Sequence, residues 1–81
     1  MNQHMAQLLK FILIVILMEE EKIPFEDILS LKWSAIQFKE SSLKIFTHYH
    51  QYDIKNEKLL LFFKMLYEVG HCYSDQFIFL N

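Results

Sequence analysis

"EKIPFEDILSLKWSAIQF", residues 21–38, changes its hydrophobic period partway along, and that change decides the fold. Its first half reads as a short helix. Pro24 suits a first helical turn, where its missing N–H would have no partner anyway, and Glu26 and Asp27 favour the positive end of a helix dipole. Ile28, Leu29 and Leu31 supply the apolar side, with Trp33 near the helix end. From Ile36 the period falls to two. Ile36 and Phe38 alternate with polar residues, "KESS" (39–42) offers a turn, and "LKIFTHYH" (43–50) alternates again with Leu43, Ile45, Thr47 and Tyr49 on one face. "YDIK" (52–55) returns as a third antiparallel strand.

Working outward, the segment from about Met5 to Glu20 is apolar nearly all round. Its β-branched residues Ile12, Ile14, Val15 and Ile16 favour strand, whereas its length favours helix, and length decides. Glu19, Glu20 and Glu21 then stand where a helix dipole disfavours negative charge, so the helix frays there. On the other side, Asn56 is a good N-cap for "EKLLLFFKMLYEV" (57–69). Leu59, Leu60, Phe62, Phe63, Leu66 and Tyr67 give that helix a wide apolar face, and Gly70 fits its C′ position. "FIFL" (77–80) reads as a short strand or extended tail. The expected class is α+β, in a single domain over 1–81. An apolar helix and a short helix precede a three-stranded antiparallel meander, a further helix and a short extended tail.

Composition narrows the function classes. With 81 residues, 53% of them hydrophobic, a mean hydropathy of +0.13, one Gly and one Pro, the chain is a folded domain and not a disordered one. So much apolar side chain on so small a body predicts that part of it is covered by a second copy or another protein. Eight Lys and no Arg face ten acidic residues, giving a net charge of −2. Phosphate-backbone binding uses a basic surface and base readout favours Arg, so global charge does not promote DNA affinity. The single Cys72 has no internal disulfide partner, and a cytoplasmic setting is the default. "FILIVILM" (11–18), even extended back to Met5, falls short of the roughly 20 residues a spanning helix needs. It also lacks the marks of a signal peptide, so no membrane partner is expected.

The order of elements, together with "DILSLKWSAIQF", resembles the first half of the catalytic domain of the tyrosine recombinases (the phage integrase family). There an apolar helix leads into T-G-L-R-x-x-E-L-L-x-L-x-W-x-D-I, then a β-meander, a capped helix and a short closing segment. Asp27 stands at the Glu position and Trp33 at the Trp. "SLKIFTHY" resembles the following strand, "NEKLLLFFKML" the capped helix, and "FIFLN" the closing segment. The likeness spans nearly all of this chain but about half of a family catalytic domain. It implies an origin in a mobile element and an association with DNA recombination and integration.

The likeness breaks at the chemistry. The family's first catalytic arginine lies three residues before the Glu and neutralises charge developing at the scissile phosphate. Counting back from Asp27 gives Pro24, which has neither charge nor side-chain donor. A catalytic lysine is expected in the hairpin, where "THY" (47–49) offers His48. The family's later His-x-x-Arg motif and tyrosine nucleophile belong to a second half that these residues do not include. Tyr67 and Tyr73 come too early to be that nucleophile. The expectation is a non-catalytic module with no catalytic residue, acting by binding DNA or a recombinase-like partner. The alternative is a small protein-interaction module, an inhibitor or regulator, that ignores DNA.

Candidate contact residues follow from both readings. Lys44, His48, His50 and Lys55, on and around the hairpin, are the DNA-contact candidates, within a wider set that adds Lys32, Lys39, Lys58 and Lys64. His48 and His50, two apart on an expected strand, would share a face. Phe11, Val15, Phe62, Phe63 and Leu66, on the first and last helices, are the interface candidates. His48, His50, His71 and Cys72 do not form the C-x2-C or H-x3-5-H pairings of zinc sites, so no metal and no cofactor is assigned. Trp33 and the Phe-rich helix read as core, not as a platform for stacking bases.

Overall fold

The structure, a computed structural model, describes residues 3–69 and 75–80. The apolar segment is a helix, α1 (Gln3–Glu19). Leu9, Leu13 and Leu17, four residues apart and so on one face, are its buried positions. The helix ends where the glutamates begin, with the Glu20 N–H donating to the Ile16 carbonyl at 2.8 Å. Lys22 then takes a left-handed conformation, φ 60°, which reverses the chain. The Ile23 N–H returns to the Leu17 carbonyl at 3.2 Å, and the Ile23 side chain enters the core.

Helix α2 (Phe25–Leu29) is five residues long and starts one residue later than the sequence suggests. Pro24, at φ −59° and ψ 144°, is its N-cap, and its carbonyl accepts from the Ile28 N–H at 3.1 Å. Trp33 lies outside this helix. It opens a separate 3₁₀ turn, Trp33–Ala35, which leads into β1.

Strands β1 (Ile36–Phe38), β2 (Leu43–Phe46) and β3 (Gln51–Ile54) form an antiparallel sheet in the order β1-β2-β3. The register aligns Ile36, Ile45 and Tyr52 in one row and Phe38, Leu43 and Ile54 in another, and these rows carry the buried face. Between them Gln37, Lys44 and Asp53 form the outward row. β2 stops at Phe46, earlier than the alternation of residues 43–50 implies. The Thr47 N–H and Oγ1 both donate to the His50 carbonyl, at 2.8 and 3.1 Å, and the His50 N–H donates to Thr47 Oγ1 at 3.0 Å. A threonine hydroxyl that bonds nearby backbone competes with a sheet ladder, and here it closes the turn between β2 and β3.

Helix α3 (Glu57–Val69) begins under the cap expected of it. Asn56 Oδ1 accepts from the Lys58 N–H at 2.9 Å and more loosely from Leu59, and the Asn56 carbonyl accepts from Leu60. The Asn56 amide also donates to Glu20 Oε2 at 2.7 Å, tying the end of α1 to the start of α3. That contact places a carboxylate near the positive end of the α3 dipole. Gly70 lies outside the described residues. Asn56→Ala removes the cap and the tie together, so a loss of about 1–2 kcal/mol is expected in urea unfolding followed by the fluorescence of Trp33, the only tryptophan. A loss below about 0.3 kcal/mol would show that the cap contributes little.

The core joins the inner stripe of α1, the inner sheet face, Ile28 and Leu31, and Leu59, Phe63 and Leu66 of α3. Trp33 sits edge-on to Phe63 and Tyr67, with ring centroids 6.4 and 5.3 Å apart. The tail pairs with the link between α2 and β1. The Ile78 N–H donates to the Leu31 carbonyl at 3.0 Å, and the Trp33 N–H to the Gln76 carbonyl at 3.1 Å. A single antiparallel bridge, Lys32 to Phe77, marks the pairing, so "FIFL" is an extended tail and not a full strand. Ile78 is buried, and Phe79 lies edge-on to Phe63.

Candidate interaction surface

The DNA-contact candidates lie on the outward sheet row, in the 47–50 turn and just beyond β3. Lys44 sits in the middle of the outward sheet row, half-buried, with Asp53 directly across on one side and Gln37 on the other. His48 and His50 are in the 47–50 turn and not on a strand, so the two-residue spacing does not give them a shared strand face. His48 stands perpendicular to Tyr49, with centroids 4.6 Å apart, while His50 lies 6.0 Å from Tyr52. Lys55 is exposed just beyond β3. Lys64 shares one shallow groove with Glu68, Phe38 and Tyr67, and another with Glu40 and Glu57. Lys32 is drawn off to the Phe77 ring, its Nζ 5.0 Å from the centroid.

The interface candidates divide in two. Phe63 and Leu66, 0% and 4% exposed, belong to the core and cannot line a surface. Positions 59, 63 and 66 share one face of α3, and that face meets the sheet and α1; an apolar period alone does not show which side of a helix stays uncovered. Phe62, rotated about 100° from Phe63, is half-buried towards α1. Tyr67, expected on the buried face, is half-exposed at its edge, with its ring against Trp33 and Phe38.

Phe11 and Val15 do face outward, and they are not alone. Leu8, Phe11, Val15 and Met18 are all between 41% and 64% exposed. Their spacing of three, four and three places them in one line along α1, opposite the buried line of Leu9, Leu13 and Leu17. A helix that is apolar all round is ordinarily buried all round, yet this one is covered on one side only. Leu8 also joins Met5, Leu9, Ile12, Phe62 and Met65 around a shallow apolar groove between α1 and α3. The sequence does not single out Leu8 and Met18 by residue type, because nearly every α1 position is apolar. The three-four spacing shared with Phe11 and Val15 is the signal that finds them.

Tyr49 is the other exposed feature the sequence misplaces. It is 81% exposed at the tip of the β2–β3 turn, not on an inward strand face. Pro24, at the position where the recombinase likeness calls for an arginine, is exposed on the N-terminal side of α2 and offers backbone carbonyl only. Among the described residues no cluster of three or more His, Cys, Asp or Glu is placed to hold a metal. His71, Cys72 and Tyr73 lie outside the described residues. No helix among the described residues is long and apolar enough to cross a membrane. No family model matches the chain, and no curated protein or solved structure gives a match either.

Proposed function

We propose that the chain is a recombinase-like module without strand-cleaving chemistry that works by binding a protein. The observation that carries this reading is the outward apolar line of α1, Leu8, Phe11, Val15 and Met18, on a helix whose opposite side already fills the core. Four large apolar side chains in one exposed line form the kind of patch that marks a protein contact. Two further points support the reading. The element order of helix, short helix, meander and helix parallels the first half of an integrase catalytic domain. Pro24 in the arginine position removes the group that would stabilise charge at a scissile phosphate.

DNA is the competing partner, and the charge arrangement gives it less support. Counterion release from phosphates drives DNA affinity, and it needs several cations on one surface. Here Lys44 faces Asp53, and Lys64 lies among Glu40, Glu57 and Glu68. Titration of labelled duplex DNA at about 50 mM salt is expected to show no binding, and supercoiled DNA should stay uncut. Affinity that falls steeply as salt rises would move the function to DNA. Nicking by the pure chain would overturn the non-catalytic reading.

A further inference from the structure

We propose that the occupant of the outward α1 face is a second copy of this chain, packed with its α1 antiparallel to the first about a two-fold axis near Leu13. The inference rests on the protein-binding reading above and names its partner. Three observations on α1 carry it.

The first is the symmetry of the line itself. Leu8, Phe11, Val15 and Met18 are spaced three, four, three, and this order reads the same in both directions about residue 13. A two-fold axis there sets Leu8 of one copy against Met18 of the other and Phe11 against Val15. The largest ring therefore meets the smallest member of the line, so knobs and gaps alternate as close packing requires. A parallel pairing would set Phe11 beside Phe11 and Val15 beside Val15, leaving one layer crowded and the next thin.

The second is charge. α1 has no acidic residue in its first turn and no basic residue in its last, so its dipole is not compensated within the helix. Its C-terminal end is followed instead by Glu20 and Glu21 after Glu19. Antiparallel packing brings Glu19 and Glu21 towards the positive end of the partner's α1 dipole, while Glu20 stays with Asn56. Parallel packing would gather both glutamate clusters at one end.

The third is area. Taking roughly 200 Å² for a large apolar side chain, the exposed parts of Leu8, Phe11, Val15, Met18 and Met65 amount to roughly 500 Å² per copy. The pair then buries about 1,000 Å², the lower bound for a specific interface, so a weak, concentration-dependent dimer is expected. No charged side chain lies in the line.

The test is the mass of the intact chain by sedimentation between about 1 and 500 μM, a range that reaches weak dimers. The wild type is expected to pass from monomer to dimer. Phe11→Asp and Val15→Asp should each weaken the dimer about thirtyfold or more, since every dimer carries the change twice at its centre. Both positions are exposed, and unchanged Trp33 fluorescence confirms that the variants fold. Orientation is read by oxidation in a Cys72→Ser background. Chains carrying Leu8→Cys mixed with chains carrying Met18→Cys should cross-link to each other, and neither kind to itself. Self-linking of Met18→Cys overturns the antiparallel arrangement, and dimers that survive Phe11→Asp overturn the surface. A wild type that stays monomeric at every concentration overturns the second copy. In that case, binding of the apolar dye ANS that Phe11→Asp abolishes leaves the protein-binding reading standing, and no dye binding overturns both.

Discussion

Phe63→Ala is expected to cost about 3–5 kcal/mol, one of the largest losses a single substitution in this chain can cause. Phe63 is fully buried at the centre of α3, edge-on to Trp33 from the 3₁₀ turn and to Phe79 from the tail. One ring therefore holds three separate segments, and truncation leaves a cavity that none of them can fill without breaking its other contacts. A chain of this length has a total stability of about 4–12 kcal/mol, so the loss removes about a quarter of it or more. Urea unfolding followed by circular dichroism measures it independently of Trp33, whose surroundings change in the variant. Leu61→Ala, two residues earlier and exposed, should stay within about 0.5 kcal/mol of the wild type. A Phe63→Ala loss below about 1 kcal/mol would mean that α3 is not packed as described.

The second large effect contrasts the two sides of α1. Leu13→Ala removes a fully buried side chain from the inner line and should cost about 2–5 kcal/mol. Phe11→Ala removes a larger side chain from the outer line, 64% exposed, and should cost the monomer little, within about 0.5–1 kcal/mol. By residue size alone the order would be reversed. The proposed dimer would add stability by mass action, so the comparison belongs at a protein concentration low enough to keep the chain monomeric. At high concentration Phe11→Ala should lose more than at low concentration, while the Leu13→Ala deficit should not shrink. Equal effects of the two variants in the dilute monomer would show that α1 has no distinct inner side.

Much of this architecture is legible in the sequence, because several local signals agree. Pro24, Glu26 and Asp27 announce a helix start, Asn56 announces another, and the change of period at Ile36 announces the sheet. The errors fall where one signal had two physical readings. "THYH" alternates in polarity as a strand would, yet Thr47 can bond the His50 backbone locally, and the turn prevails. Trp33 follows closely on α2, but the tail's pairing with Leu31 and Trp33 holds that link extended, a contact made across 45 residues of sequence and invisible locally. The outward face of α1 is the least legible part. In α3, polar Lys64 and Glu68 mark an outer side, and the periodicity identifies Leu59, Phe63 and Leu66 as neighbours on one face. In α1 nearly every position from Leu8 to Met18 is apolar, Lys10 apart, so pattern alone cannot tell the side that meets the core from the side that faces out. Packing against α3 and α2 decides it.

The most direct test of the account is an isotope-filtered nuclear Overhauser experiment on a mixture of labelled and unlabelled chain at high concentration. It detects only contacts between copies. The antiparallel α1 pairing predicts intermolecular cross-peaks from the Phe11 ring to Val15 methyl groups and from Leu8 to Met18, with none from Lys44, Gln37 or the 47–50 turn. Cross-peaks confined to the sheet face or to the turn, or none at all at a concentration where the wild type sediments as a dimer, would contradict it.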